Sequence, residues 1–281
     1  MTLTATAVRA GFARGLIELR QSFAGTALIG QLFWPVVTLA AIFFLRDRSV
    51  GAGGFTLGTF ILPGVLGMFV ALGMFLAFQY LSADREDGTL LRAKATPNGI
   101  RGYLIGKIVT VSGTILVYLA ILLVPGILIV NGLNIGSLHS WLTLAWVLAL
   151  GFVATQPIGA ILGSLISSPR YTGYISLLVL GLISISGIFY PITALPGWLQ
   201  WIAQVFPIYW LGLGMRSAFL PASAVSVEIG GSWRPVETAV VLGAWAVIGL
   251  ILAPIVLARM ARRESGSSVA ARREKALRRV G

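Results

Sequence analysis

Residues 82–107 read SADREDGTLLRAKATPNGIRGYLIGK and contain eight charged side chains. Apolar runs lie on both sides of this segment, over roughly residues 56–81 and 108–130. A helix needs ~20 residues to cross ~30 Å of hydrocarbon, so both runs predict membrane spans. Lipid does not solvate this many charges. We therefore expect residues 82–107, called the charged island below, to lie in water at the membrane face.

The composition predicts an all-α polytopic membrane protein. The chain has 281 residues, of which 57% are hydrophobic and 11% charged, whereas soluble domains are typically about a quarter charged. It contains no cysteine, which excludes a disulfide framework and a thiolate metal site. In a membrane protein, a net charge of +12 is a signal for topology and an attraction to anionic lipid. We expect no nucleic-acid partner.

The island itself predicts a short helix. Asp87 and Thr89 are candidate helix caps, Leu90 opens an apolar patch, and the turn residues Thr-Pro-Asn-Gly at 96–99 end the helix. Two spans hold this helix at the membrane face, where it is presented to a partner in the aqueous compartment.

An amphipathic helix is predicted over residues 4–24. Its apolar residues recur every three or four positions and form one narrow stripe: Val8, Phe12, Leu16, Leu19 and Phe23. Arg9 and Arg20 flank the stripe, while Arg14 and Glu18 lie opposite. The pattern favours a helix in the membrane interface with its arginines reaching lipid headgroups. The alternative is a soluble amphipathic helix packed on a partner.

Six spans are predicted within one permease domain, residues 1–260, which a basic tail follows at 261–281. The spans cover about residues 27–45, 56–81, 103–130, 141–166, 172–189 and 236–257. Six spans place both termini on one side, and 17 of the 21 Lys and Arg residues then fall on that side. Because basic residues are enriched in cytoplasmic segments, we expect cytoplasmic termini and a cytoplasmic island.

Prolines break residues 190–235 into pieces too short to cross a membrane. Two apolar pieces, 198–206 and 208–219, predict a pair of short half-helices that dip into the outer leaflet. Aromatic residues in these pieces are expected to anchor them at the interface; they are Trp198, Trp201, Tyr209 and Trp210.

The sequence predicts no catalytic or metal site in this chain. The nearest match to a nucleotide-binding loop, residues 102–107, is one residue short and precedes Ile108 instead of Ser or Thr. The single histidine, His139, falls in a polar loop. The spans carry few ionisable residues, which argues against an ion-coupled carrier. The energy is therefore expected from another polypeptide. Gly159-x-x-x-Gly163 is a candidate close-packing face.

Two sequence blocks resemble the membrane subunits of type-2 ABC exporters. The island is similar to the family pattern E-x-G-T-L-x-x-L-x-x-T-P followed by G-K, with Ala93 in place of a larger apolar residue. The matching residues are Glu86, Gly88, Thr89, Leu90, Thr96, Pro97, Gly106 and Lys107. The second block runs from 186 to 203, SGIFYP through LPGWLQWIA, and continues to Pro207 and Arg216.

The resemblance implies a permease dimer docked on two ATPase subunits, which bind the ATP and Mg²⁺, so that this chain binds no cofactor. It implies that a coupling helix over 86–97 sits in a cleft of the ATPase, with the interfacial helix beside it. The implied coupling residues are Glu86, Gly88, Thr89, Leu90, Arg92, Thr96 and Pro97. The implied external gate comprises Tyr190, Pro191, Pro196, Trp198, Trp201, Pro207 and Arg216.

The cargo implied by the resemblance is an amphipathic drug or a lipid-like molecule, because the chain looks most like permeases of the daunorubicin-resistance type. The expected location is the bacterial plasma membrane. Export of a lipid-linked glycan or polysaccharide remains an alternative within the same family. A membrane enzyme or assembly factor acting on lipid, and a secondary carrier, are alternatives outside it.

Overall fold

The computed structural model describes residues 3–50, 55–96, 98–166 and 171–263. The helices are α1 Leu3–Ser22, α2 Ala27–Leu45, α3 Leu57–Glu86, α4 Thr89–Lys94, α5 Gly99–Ile129, α6 Leu138–Leu165, α7 Thr172–Ile185, α8 Gly197–Val205, α9 Pro207–Phe219 and α10 Pro235–Arg263. Two-residue strands, β1 Ser49–Val50 and β2 Phe55–Thr56, form one antiparallel pair. The predicted all-α architecture is confirmed.

Five helices in the described part of the chain are long and apolar enough to cross a membrane: Ala27–Leu45, Leu57–Glu86, Gly99–Ile129, Leu138–Leu165 and Pro235–Met260. They coincide with five of the six predicted spans. The remaining one, 172–189, corresponds to α7, which has 14 residues and rises only about 21 Å. The chain leaves the helix at Ser186 and turns at Gly187, where φ is 68°. The sixth span stays a prediction.

The central helix of the bundle is α3, which contacts α2, α5, α6, α7 and α9. Most of its side chains are buried, for example Leu62, Val70 and Phe78, and its exposed residues, Gln79, Ala83 and Glu86, lie towards its end. By contrast, α2 exposes Phe33 and α10 exposes Val247. An apolar helix that is buried all round belongs in the core of a bundle, whereas exposed apolar faces on span-length helices suit contact with lipid.

The crossing of α3 and α6 depends on Gly159. A Cβ atom added there would collide with the carbonyl oxygen of Met74 on α3. One turn further along α6, a Cβ on Gly163 would lie 3.2 Å from the carbonyl oxygen of Phe78. The small residues let the two backbones approach closely, so the predicted close-packing face lies at the contact of the central helix with α6.

The two segments that resemble the family lie at opposite ends of the bundle. At the first end, called the island end, the Lys94 ammonium on α4 contacts the Arg262 carbonyl of α10 at 3.5 Å. At the other, called the short-helix end, the Asn134 amide donates to the Phe219 carbonyl of α9 at 2.7 Å. The Trp245 indole of α10 donates to the Val205 carbonyl of α8 there, at 2.8 Å.

We expect Gly159→Ala to destabilise the protein, because the added methyl group cannot fit between α6 and the α3 backbone. Overpacking of this kind costs about 1–3 kcal/mol, and the thermal midpoint in detergent should fall. Gly181→Ala is the matched control, since Gly181 of α7 has no heavy atom within 4 Å of an added Cβ. Equal midpoints for the two variants would contradict the tight α3–α6 crossing.

Candidate functional site

A sharp reversal of the chain separates α3 from α4. Gly88 lies in the left-handed region with φ of 78°, a conformation that glycine adopts without the penalty of a side chain. The Asp87 carboxylate accepts a hydrogen bond from the Thr89 backbone amide at 2.7 Å, which satisfies a donor of the first turn of α4. Gly88 occupies the N-cap position and Thr89 is the first residue of α4, so the predicted cap at Thr89 was wrong. The Asp87 side chain caps the helix from the residue before the N-cap.

One face of α4 is anchored and the other is exposed. Leu90 and Ala93 are buried in an apolar cluster with Tyr103 of α5 and Leu257 of α10. The smaller residue at position 93 therefore still makes the contact that anchors the helix. The exposed side chains are Glu86, Arg92, Lys94 and Thr96. A buried face holds the segment against the bundle, and a polar face is left for solvent or a partner.

The predicted coupling residues occupy two helices and a turn. Glu86 is the last residue of α3, and α4 proper has six residues, Thr89–Lys94. The Arg92 guanidinium donates to the Thr89 hydroxyl at 2.8 Å. The Thr96 hydroxyl donates to the Ala93 carbonyl at 2.9 Å and closes the helix end. Pro97 lies outside the described residues.

Lys107 joins three helices at the island end. Its ammonium on α5 lies 2.8 Å from a carboxylate oxygen of Glu18 on α1 and 2.8 Å from one of Asp84 on α3. The Tyr103 hydroxyl donates to the same Asp84 oxygen at 2.8 Å, and Arg14 pairs with Glu18 at 2.8 Å. The Lys107, Glu18 and Asp84 side chains are only 16, 22 and 12% exposed, so these charges attract each other with little screening by water.

The charge on Glu18 depends on its cationic neighbours. Burial alone would raise the pKa of the Glu18 carboxyl, but the hydrogen bonds and the positive charges of Lys107 and Arg14 together outweigh burial and hold this pKa below its ordinary value of 4.5. A lowered pKa stabilises the folded state at pH values above the ordinary pKa. This contribution is lost as the pH falls below about 4.5 and through the pKa of the folded state.

Helix α1 packs along α5 through glycines. A Cβ on Gly11 would collide with the Gly102 carbonyl, and one on Gly15 would lie 2.6 Å from the Gly106 carbonyl oxygen. The protein-facing side of α1 is therefore the small, polar side, which includes Glu18. The first part of the predicted apolar stripe points outward, since Val8 and Phe12 are 45 and 52% exposed, whereas Leu19 and Phe23 at its end pack on α5.

The exposed part of the stripe is compatible with the predicted interfacial helix, whose placement in the membrane interface stays a prediction. Leu16 of the stripe is exposed like Phe12, whereas Leu19 is only partly exposed. The flanking residues Arg9 and Arg20 are exposed as well. Arg14 and Glu18, predicted to lie opposite the stripe, are on the side of α1 that packs against α5.

The expectation that the whole island lies in water was wrong for Asp84 and Arg85, which are 9 and 8% exposed. The Arg85 guanidinium donates to the carbonyl oxygens of Gly163 and Ser164, at 3.0 and 3.3 Å. These carbonyls end α6, where the helix dipole favours a cation. The first part of the island is therefore a structural junction between α3 and α6.

Arg216 holds the short-helix end together. Its guanidinium on α9 forms a buried bidentate pair with Glu228, at 2.6 and 3.3 Å, and donates to the Gly187 carbonyl at 3.0 Å. Both charged side chains are 0% exposed. A bidentate arginine–carboxylate pair fixes orientation as well as distance. It joins α9 to the turn after α7 and to the segment before α10.

The predicted gate residues divide into exposed and buried ones. Trp198, Trp201 and Pro196 are exposed, Tyr190 and Pro191 are partly exposed, and Pro207 and Arg216 are buried. Helices α8 and α9 occupy the two predicted short pieces. Their dipping into the outer leaflet and the gate role of these residues stay predictions.

Sequence reasoning missed the partners of the cations Lys107, Arg85 and Arg216. Asp84 and Lys107 were assigned to water, and Glu228 was not singled out among the residues of the short-helix end. Only the i,i+4 spacing of Arg14 and Glu18 gave a signal, because such pairs lie on one helix face. Pairs between helices, such as Lys107 with Glu18, have no fixed spacing in the sequence.

Comparison with known proteins identifies one family. A family model described as "ABC-2 family transporter protein" matches residues 36–258. This range includes the island and the short-helix end, and it covers well over half of the chain. No curated protein matches the chain.

We expect Lys107→Met to lower the free energy of unfolding by about 3 kcal/mol, because it leaves the carboxylates of Glu18 and Asp84 without their shared cation. Arg101→Met is the control, since Arg101 is an exposed cation on the same helix and should change stability by about 0.5 kcal/mol or less. Denaturation of the purified variants checks both values. Equal stabilities would show that the cluster does not hold α1, α3 and α5 together.

Proposed function

Because the chain belongs to the ABC-2 family of transporter proteins, whose members are membrane transport subunits, we propose that it is the permease of an ATP-driven exporter. A separate ATPase subunit, present in two copies, binds and hydrolyses the ATP. A second permease copy, identical or paralogous, completes the transporter. The cargo is a hydrophobic or amphipathic molecule, either a drug or a lipid-like compound, and it moves outward.

The observation that carries this proposal is the fixed position of α4. The αL turn at Gly88, the Asp87 cap and the burial of Leu90 hold the helix in one orientation. Its opposite face presents Arg92 and Thr96. A segment with few internal degrees of freedom transmits a displacement instead of absorbing it. In this proposal, closure of the ATPase subunits moves α4, and α4 moves the ends of α3 and α5.

The Lys107 cluster extends this connection to α1. Lys107 lies on α5, two turns beyond the start of the helix that follows α4, and its carboxylate partners lie on α1 and α3. We propose that α1 and α4 form one docking unit for the ATPase, because both pack on α5 and α1 cannot shift far along α5 without separating buried charges.

The apolar interior of the bundle supports a lipophilic cargo. Charged molecules are costly to place between membrane helices. In the described spans, the side chains that pack between helices are mainly aliphatic and aromatic. One observation favours the alternative cargo, a lipid-linked glycan. Trp198 and Trp201 of α8 are 64 and 74% exposed, and exposed aromatic faces suit stacking against sugar rings.

Transport measurements test the proposal directly. The chain is reconstituted into vesicles with an ATPase subunit encoded next to it, and export of fluorescent drugs, lipids and a lipid-linked glycan is compared. We expect ATP-dependent export of at least one lipophilic probe. Transport that is driven by an ion gradient in the absence of ATP would contradict the proposal, and preference for the glycan would select the alternative cargo.

Gly88→Val should uncouple ATP hydrolysis from transport. A β-branched residue at φ of 78° is strained by about 1–2 kcal/mol, which favours other orientations of α4 by roughly tenfold. Transport per ATP hydrolysed should fall by about that factor. Gly230→Val is the control, because Gly230 has φ of 70° at the short-helix end with open space around it. Equal transport per ATP hydrolysed in the two variants would contradict the proposed role of α4 in coupling.

The proposed location is the bacterial plasma membrane with cytoplasmic termini, and the absence of cysteine makes the topology directly testable. In intact cells, a membrane-impermeant maleimide should label Trp198→Cys. It should label Arg92→Cys only after the cells are permeabilised. Leu128→Cys, a lipid-facing control on α5 that is 81% exposed, should resist labelling in both cases. Labelling of Arg92→Cys from outside would reverse the orientation.

A further inference from the structure

A deep groove lies between α3, α5, α6 and α10. Its volume is about 390 Å³, within the range of roughly 300–1,000 Å³ typical of small-molecule sites. Each helix contributes apolar wall residues, among them Leu81, Val111, Phe152 and Leu257. Clefts between the helices of a bundle are common ligand sites, so the position as well as the size is that of a binding site.

The mouth of the groove opens on the lipid-facing surface. Its rim includes Ile108, Val153 and Leu250, which are 54, 38 and 58% exposed. All three belong to helices that are long and apolar enough to cross a membrane. The medium outside the mouth is therefore the bilayer, and molecules dissolved in the bilayer have direct access to the groove.

One polar pair interrupts the apolar wall. The Gln156 amide of α6 donates to the Ser112 hydroxyl of α5 at 2.7 Å, and both side chains line the groove. Among the residues that the structure describes, none donates a hydrogen bond to the carbonyl oxygen of Gln156. Gln156 is 5% exposed, and an amide oxygen in apolar surroundings is stabilised by accepting a hydrogen bond. A ligand with a hydroxyl or amide N–H would satisfy it.

Among the described residues that line the groove, none carries an uncompensated charge that would attract an ion. Lys107 lines one end, but its ammonium is held by Glu18 and Asp84. Along α5, Ser112 lies five residues beyond Lys107, about 7.5 Å deeper. A charged ligand would enter a membrane-embedded site without a counter-ion, which is costly. The chemistry favours an uncharged molecule.

We propose that this groove binds one uncharged lipophilic molecule with a single hydrogen-bond donor, which enters from the bilayer and donates to Gln156. This molecule is the cargo of the transporter, an assignment that rests on the proposed export function. Shape and burial supply most of the affinity, and the Gln156–Ser112 pair distinguishes donor-bearing molecules from plain hydrocarbon chains.

Photolabelling of the full-length protein in phosphatidylcholine nanodiscs tests the binding. One probe is a diacylglycerol with a diazirine in an acyl chain and a free hydroxyl group. The second probe is its methyl ether, which has the same shape but no donor. Labelled peptides are identified by mass spectrometry. We expect label on the groove walls of α5, α6 and α10, with the hydroxyl probe favoured by roughly fivefold, as one hydrogen bond allows.

Three variants separate the parts of the proposal. Ala149→Trp places an indole at the exposed rim of the groove on α6 and should reduce labelling of the walls by both probes at least fivefold. Leu142→Trp is its control, because Leu142 lies two turns away on the same face of α6, is 59% exposed and does not line the groove. Gln156→Leu should abolish the preference for the hydroxyl probe and leave labelling by the ether unchanged.

Several outcomes would overturn the inference. Equal labelling by the two probes in the wild type would mean that acyl chains fill the groove without selection. Labelling that Ala149→Trp does not reduce would mean that the groove is not occupied. The photolabelling needs no ATPase, so it can succeed where export fails. Export of a fluorescent diacylglycerol that survives Ala149→Trp would refute the cargo assignment and leave the proposed exporter intact.

Discussion

Much of this structure depends on a single ammonium group, that of Lys107, shared by two carboxylates from different helices. A buried cation needs partners, because its desolvation is otherwise too costly. Glu18 and Asp84 supply them at 2.8 Å each, and they bring α1, α3 and α5 to one point. The glycine contacts of α1 with α5 then set the distance at which this charge cluster can form. The cluster and the backbone packing therefore require each other.

This constraint explains why the island end is a rigid unit although α4 is only six residues long. A helix of this length has no stability of its own in water. It persists because its Leu90 and Ala93 side chains are buried, because Lys107 ties its flanking helices α3 and α5 together, and because Arg85 fixes the end of α3 to α6. The short-helix end uses the same principle, with Arg216 and Glu228 as the buried pair. At each end of the bundle, irregular chain is held by a buried cation.

The groove adds a different kind of site to this frame. Its walls come from helices whose packing is set elsewhere, by the α3–α6 crossing at Gly159 and by the contacts of α10 with α6. The Gln156–Ser112 pair was visible in the sequence only as two uncharged polar residues within spans, which most often bond between helices. The two side chains do form a hydrogen bond with each other. Because Gln156 also lines the groove, its amide oxygen can accept a hydrogen bond from a ligand there.

The sequence by itself determined the membrane class and the five span-length helices, because both follow from the length of the hydrophobic runs. It also determined the positions of α4 and of the two short helices, because turn residues and prolines end helices locally. Only the tertiary structure decided which charges leave the water. Asp84 and Glu86 are two residues apart in the same island, yet one is buried against Lys107 and the other is exposed. The difference comes from α5, whose Lys107 and Tyr103 side chains contact Asp84 on one face of α3. Contacts between residues that are far apart in the sequence have no fixed spacing, so a local sequence pattern cannot predict them.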